Sequence, residues 1–378
     1  MSWDLQSQCD QLRADGLWRE LRMLDSAQGP LVQVDGRELV NFSSNDYLGL
    51  ADSAELREAM KEGVELYGAG SGSSRLVCGT MKPHMELEAA LAAFKRTEAA
   101  LSFSSGYAVA LGTIPALVGS GDTIILDKLS HASLVDAARL SGATIRVFPH
   151  NHLGKLSKLL ETAKGRVLVV TEAIFSMDGD ACPLEEIVEL KDRHGAWLLL
   201  DEAHAVGVLG PQGRGLTAAC GLEGRVELQM GTMSKALGLS GGYLAATRQV
   251  IDLVINRARS LIYSTAPPPC LAHAARIALG IITSPEGDRR REVLHQHVCQ
   301  LSRGAPPMSA IVPRIIGDET SAMAASARLR ESGFLIPAIR YPTVARGSAR
   351  LRITASAAHQ PDQIQRLNQS LAALDLSE

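Results

Sequence analysis

The sequence has few aromatic residues (4%), only nine lysines among 378 residues and a net charge of just −3. With no clustered surplus of Lys and Arg to neutralise phosphates, nucleic acid is not expected as a partner. Its six cysteines, Cys9, Cys78, Cys182, Cys220, Cys270 and Cys299, lie far apart and form no C-x-x-C pair. Neither a zinc cluster nor a disulfide framework is therefore expected, and a reducing cytoplasm is the expected compartment. The first residues lack a basic stretch followed by an apolar one, so no secretory signal is expected. The longest charge-free run, Ala99 to Gly121, is broken by Ser102, Ser104, Ser105, Gly106, Gly112 and Pro115. It reads as a buried helix near a site and not as a membrane span. No fixed-period repeat or low-complexity tract occurs, which excludes a solenoid.

What is present is the composition expected of a soluble globular protein, 46% hydrophobic and 21% charged, in a chain long enough for two domains around a substantial core. Short aliphatic runs at Thr123–Leu126, Thr144–Phe148, Arg166–Val170, Ala196–Leu200 and Val226–Gln229 alternate with helical spacing such as Glu86–Phe94 and Leu184–His194. That alternation predicts an α/β fold with a mainly parallel sheet, whose ligands sit at the carboxyl ends of the strands. Polar residues follow these runs at Asp127–His131, Thr171-Glu172, Asp201–His204 and Gly231–Lys235, and one shared site is the economical explanation. The first residues predict a helix from Leu5 to Met23, then a hairpin turning at Asp35-Gly36 and packing across the large domain. A break at Ser284–Asp288 divides residues 41–284, the large domain, from 285–378, a smaller α+β domain; residues 1–40 form a leading segment. In the small domain Ser321–Glu331 reads as helical, Phe334–Arg340 as extended and Ala349–Thr354 as a strand.

Two residues carry a chemical signal of their own. Lys235 lies among small residues in Gly231-Thr-Met-Ser-Lys-Ala-Leu-Gly-Leu-Ser-Gly-Gly242, where backbone and a cofactor can approach closely, whereas Lys155, Lys158, Lys164 and Lys191 have surface-like helical contexts. Asp201 closes the apolar run Trp197–Leu200, a place for an ionised carboxylate only if a cation meets it. A protonated pyridine nitrogen is one such partner; a helix cap is the other reading.

The pair Asp201-Glu-Ala-His204 and Thr232-Met-Ser-Lys235 resembles the strand-end aspartate and Schiff-base lysine of fold-type-I enzymes that use pyridoxal 5'-phosphate (PLP). Asn41–Gly49, Gly70–Arg75, Ser130–Ser133, Phe175–Gly179 and Ile262–Thr265 narrow the resemblance to the α-oxoamine synthases, which condense amino acids with acyl-CoA thioesters. The likeness spans about residues 15 to 360. It implies a large domain with a mainly parallel sheet, a smaller C-terminal domain, PLP as cofactor, and a homodimer with shared sites. It further implies that the amides of Gly106 and Tyr107 and the hydroxyl of Thr232 hold the phosphate, with Thr265 reaching it from the partner subunit. His131 matches a histidine that stacks on the ring and serves acid–base steps, and Ser176 and His204 match groups around the phenolic oxygen. Arg352 corresponds to the arginine that receives the amino-acid carboxylate, with Arg350 the alternative on the same strand face; Asn45 and Thr354 join the substrate contacts. Arg19 matches an acyl-contacting arginine, with Arg22 one turn away on the expected helix. Within the family the segments look closest to members that join L-alanine to a pimeloyl thioester in biotin synthesis, and the glycine-acetylating members are the alternative.

Three other motifs compete. Gly238-Leu-Ser-Gly-Gly242 matches G-x-S-x-G, but it precedes an apolar run where a nucleophile elbow should follow one. Gly68-Ala-Gly-Ser-Gly72 misses the dinucleotide fingerprint. His150-Asn-His152 has no partner at metal-ligand spacing and reads as a solvated loop. No metal is expected.

Overall fold

A computed structural model describes residues 3–302 and 308–374. Helix α1 (Leu5–Ala14) is capped by Asp4, whose carboxylate accepts from the Ser7 amide, and it ends where Gly16 turns left-handed at φ +66°. A glycine just past the last turn is the usual helix stop, so the expected continuation to Met23 does not occur. Arg19 and Arg22 consequently share no helix face, and both are exposed.

Strands β1 (Leu31–Val34) and β2 (Arg37–Asn41) form the expected hairpin. Asp35 and Gly36 have φ of +51° and +73°, the paired left-handed residues of a type I′ turn. Helices α2 (Ala54–Tyr67) and α3 (Lys82–Lys95) follow. A seven-stranded sheet then comprises β3 (Ala99–Phe103), β4 (Thr123–Asp127), β5 (Thr144–Phe148), β6 (Val167–Glu172), β7 (Trp197–Asp201), β8 (Leu228–Thr232) and β9 (Gly242–Ala246), ordered β3-β9-β8-β7-β6-β4-β5. Strands β4 to β8 pair in parallel, and β9 runs antiparallel to both β8 and β3. The five sequence-expected strands are present, with ends shifted by at most three residues. The single helix expected over Ala99–Gly121 is instead strand β3 followed by helix α4 (Gly106–Leu117). The strand is buried throughout and the helix over most of its length, and periodicity alone does not separate a buried strand from a buried helix.

Helices cover both faces of the sheet, as parallel strands apolar on both sides require. On one face Leu126, Leu168 and Leu228 pack against α4 and helix α5 (Ala132–Ser141) through Val109, Ile114, Leu134 and Ala137. On the other, Ile125, Val169 and Leu198 meet Leu156 and Ile187. A glycine is needed at position 242, because a Cβ there would lie 2.7 Å from the Gly106 nitrogen and push away the start of α4.

The break expected at Ser284–Asp288 is a joint between two helices, Pro269–Thr283 and Pro285–Leu301, with Ser284 between them. Beyond it lie β10 (Ile311–Gly317), β11 (Phe334–Leu335), β12 (Ala338–Ile339) and β13 (Ala349–Thr354). Strands β10, β13 and β12 form an antiparallel sheet, while β11 pairs in parallel with β2. The N-terminal hairpin thus extends a C-terminal strand instead of crossing the large sheet. The continuation past β2 stays within C-terminal elements: Phe42 donates to the Leu335 carbonyl and accepts from the Thr354 amide, and the Ala357 amide donates to the Tyr47 carbonyl.

His359 locks this junction, with Nε2 3.0 Å from the Asn41 carbonyl, Nδ1 accepting from the Ser356 amide, and its ring stacked on Phe42. Burial holds its pKa down to about 4. The folded state therefore contains neutral His359, and its contribution is complete above the unfolded pKa near 6.5 and is lost as pH falls toward 4. Between pH 7 and pH 5 this histidine should remove about 2 kcal/mol of stability. Urea unfolding midpoints compared with His359→Gln over that interval check it, because the variant should show a correspondingly shallower pH slope.

Candidate active site

The carboxyl ends of β4, β6, β7 and β8 face one cavity of about 420 Å³. Gly106 and Tyr107 at the start of α4, His131 after β4, Glu172 and Ser176 at and after β6, Asp201 and His204 at and after β7, and Thr232 and Lys235 at and after β8 line it, with Asn45 and Arg352 closing it from the other side. The fold therefore unites eleven residues at one strand-edge site, ten of them expected from sequence with a stated role. Thr354 stands behind the wall, where its hydroxyl accepts from Arg352 at 2.9 Å. Thr265 is exposed and bridged to Ser74, and it does not line the cavity; neither does Arg19. An adjoining cavity of about 400 Å³ shares Asn45, Ser234 and Lys235 and is bordered by Gln28, Asn41 and Ser43.

Lys235 is the cationic group at the centre. Burial pushes its pKa down, partly offset by Asp201 and Glu172, which favours the neutral, nucleophilic amine. Two other lysines are buried too, contrary to the surface context expected of Lys191: Lys191 meets Glu227 and Asp192, and Lys95 meets Glu202. Among the described residues Lys235 makes no ion pair, and this separates it from those structural cations.

Asp201 is only 6% exposed. One of its oxygens accepts from the Ala203 amide at 2.9 Å, so the turn-capping role is partly real, but it too lacks an ion pair among the described residues. Burial raises its pKa, while Lys235 opposes the rise. Its strand neighbour in register is Glu172, 2% exposed, whose pKa burial and the Asp201 charge drive well upward. Oε1 of Glu172 has no hydrogen-bond partner among the described residues. Two carboxyls side by side in a dry strand edge cannot both stay charged without a cation. Glu172, which the sequence marks as a polar strand-end residue of the shared site but gives no individual role, ends an apolar run just as Asp201 does.

The remaining walls are positioned by hydrogen bonds. His131 caps α5, with Nδ1 accepting from the Ser133 amide, and its pKa is depressed chiefly by burial. His204 lies beside the hydroxyl of buried Tyr47, which also contacts Asn45 Oδ1 at 3.2 Å. Burial, with Lys235 and Arg352 nearby, keeps His204 neutral, and burial lifts Tyr47 to about 12. Arg352 donates to the Ser176 carbonyl at 2.6 Å and to Asn45 Oδ1 at 3.1 Å. Arg350 projects from the same strand face but is engaged by Asp178 and does not line the cavity.

These features fit PLP. A helix start leaves the Gly106 and Tyr107 amides without intrahelical acceptors, a cradle for a phosphate. A buried carboxylate lacking a cation suits a protonated ring nitrogen, and a half-buried amine without an ion pair suits covalent attachment. Competing chemistries find no comparable support. Ser240 precedes β9 and is exposed, the reverse of a nucleophile elbow. His152 caps the Leu153–Glu161 helix, and no His, Cys, Asp and Glu cluster among the described residues could hold a metal. His150 is not the solvated residue expected, since it lies between Asp127 and Asp180. No described helix is long and apolar enough to cross a membrane.

Residues 37–371 match the family model for aminotransferase class I and II. The 8-amino-7-oxononanoate synthase of Geobacter sulfurreducens is 46% identical, over 99% of this chain and 98% of that one. That of Maricaulis maris is 49% identical over 94% and 91%. A serine palmitoyltransferase from S. paucimobilis with bound PLP superposes with a TM-score of 0.90 at 32% identity, covering 98% of this chain and 96% of that one. The 8-amino-7-oxononanoate synthase of Francisella tularensis gives a TM-score of 0.76 at 28% identity, covering 89% and 96%.

Proposed function

The chain belongs to the aminotransferase class I and II family, among the relatives named 8-amino-7-oxononanoate synthase, and on that premise we propose that it uses PLP to condense L-alanine with a pimeloyl thioester. The products are 8-amino-7-oxononanoate, the free thiol and carbon dioxide, a step of biotin biosynthesis. The observation that carries this reading is one cavity in which a half-buried lysine without an ion pair, a buried aspartate without one and an inward arginine converge.

When bound, PLP supplies an electron-accepting ring that lets an amino acid's α-carbon lose first a proton and later a carboxylate. The protein's part is to place and charge the groups around it. Lys235 Nζ, whose charge burial disfavours, would take the α-proton of alanine and later return one to the product. The Asp201 carboxylate holds the balancing negative charge at the ring nitrogen, in a dry site where such a pair is strongest. Arg352 takes the alanine carboxylate through its guanidinium, steadied by Ser176, Asn45 and Thr354. His204 and Ser176 would border the phenolic oxygen, and His131 would cover the ring face. The adjoining cavity beyond Lys235 gives the acyl partner a second volume against the reacting carbon.

Thr265, exposed and away from this chain's own cavity, supports a homodimer in which it completes the partner's phosphate site. Six free cysteines support a cytoplasmic location.

Arg352→Ala should weaken alanine binding by about 10- to 150-fold, the loss of a charge-assisted contact of about 1.5–3 kcal/mol. Arg350→Ala should leave it within about threefold; equilibrium titration with L-alanine distinguishes them. The substrate assignment is tested by competition with L-alanine as acceptor. kcat/KM for a pimeloyl thioester should exceed that for acetyl-CoA by at least about tenfold, a gap of about 1.4 kcal/mol. Preference for glycine and acetyl-CoA would overturn it in favour of glycine acetyl transfer.

A further inference from the structure

His150 lies outside the cavity yet joins two of its walls. Its Nδ1 is 3.2 Å from Asp127 Oδ1 at the end of β4, and its Nε2 is 2.8 Å from Asp180 Oδ2 in the loop after β6. Asn151, held left-handed at φ +54°, doubles both links: its amide donates to Asp127 Oδ2 at 2.9 Å, and its side chain to Asp180 and the Ala181 carbonyl. Asp127 is fully buried and also accepts from the Leu129 amide, in the turn that leads to His131. The loop is closed by the Ile174–Ala181 bridge and by Phe175, whose ring stands edge-on to His150 at 4.3 Å. Its other side carries the Ser176 carbonyl that accepts from Arg352 and the Asp178 carboxylate that meets Arg350. A single imidazole, flanked by two carboxylates, therefore stands behind the loop that orients the cavity arginine.

We infer that His150 is a positioning residue for amino-acid recognition: bridging Asp127 and Asp180, it fixes the 174–181 loop so that the Ser176 carbonyl aims Arg352 at the substrate carboxylate. Both ring nitrogens must carry protons to satisfy both carboxylates, and the two neighbours hold the imidazolium form to a pKa of about 10 against the opposing effect of burial. An uncharged side chain of similar size fills the space but cannot bridge both acids. The inference rests on the proposed role of Arg352 and adds to it a control point that no substrate atom touches.

The test is a double-mutant cycle on the PLP-loaded enzyme, reading L-alanine affinity by calorimetry and the separate KM values for alanine and acyl thioester. His150→Asn, and independently Asp180→Asn, should weaken alanine binding by about tenfold while the acyl KM and the PLP content stay within about twofold. In an Arg352→Ala background the same substitutions should change alanine affinity by less than twofold, because the arginine they position is gone. Unchanged alanine affinity in the single variants overturns the inference, as do full additivity with Arg352→Ala and a parallel loss of PLP or acyl binding. If Arg352→Ala itself leaves alanine affinity intact, it is the underlying reading of the site that fails.

Discussion

Replacing Lys235 by alanine is expected to remove turnover altogether while leaving PLP able to bind without a covalent link. The two halves of this result have different origins in the fold. The start of α4 would supply the phosphate contacts, and residues after β4, β6 and β7 would border the ring, so the cofactor should keep its seat. The amine that attaches it and moves the α-proton exists only at the end of β8. None of the neighbours can substitute: Lys95 and Lys191 are buried elsewhere against carboxylates, and Arg352 is too basic to accept a proton. Mass spectrometry after borohydride reduction should find PLP attached to Lys235 in the parent and nowhere in the variant. Attachment at another lysine would contradict the assignment.

Asp201→Asn should lower kcat by up to about a thousandfold with PLP still bound. A unit charge pair at about 4 Å is worth about 4 kcal/mol at an effective dielectric near 20, and about 1.36 kcal/mol corresponds to tenfold in rate. The amide fills the same volume and can keep one hydrogen bond, so the loss reads the charge and not a cavity. Glu172 can take over only in part, because burial, the larger cause, still drives its carboxyl toward the neutral form when the Asp201 charge that adds to it is gone. Once Asp201 is neutral its share of that restraint relaxes, and Glu172 can ionise in part. The double variant with Glu172→Gln should then fall below Asp201→Asn alone. Activity of Asp201→Asn within about threefold of the parent would remove the aspartate from the mechanism.

The site was more legible in the sequence than the fold around it. A carboxylate ending an aliphatic run and a lysine among small residues are anomalies that burial makes costly, and such anomalies can be read without coordinates. The family resemblance supplied the companions, among them Asn45 and Arg352, because nothing local marks an asparagine in a loop as facing an arginine 307 positions away. Glu172 carries the same strand-end signal as Asp201 one strand over, and that signal places it at the site without assigning it a role. The misread elements have a different cause. Ala99–Gly121 is charge-free and its polar residues follow neither spacing, so its pattern carries no period to choose strand from helix. The N-terminal helix stops at Asp15-Gly16, a signal masked in the sequence by the helix-forming residues that follow it. The hairpin's turn was readable from Asp-Gly, but its docking partner was not, because strand pairing across the length of the chain leaves no mark in either segment.

That pairing also orders events in time. Residues 40 to 47 leave the ribosome early, yet their hydrogen-bonding partners are Leu335, Thr354 and Ala357, and the Ser43 hydroxyl alone reaches across 292 positions. At translation speeds of about 5–20 residues per second, that stretch waits about 15–60 s for its partners to be made. The seven-stranded sheet, complete by Ala246, can assemble during the wait. Asn45, which stands in the substrate wall, is therefore held in the cavity only after synthesis is nearly finished. A ribosome that stalls in the final stretch would release a chain with its central sheet assembled and an exposed apolar strand at its beginning, a natural target for chaperones and proteases.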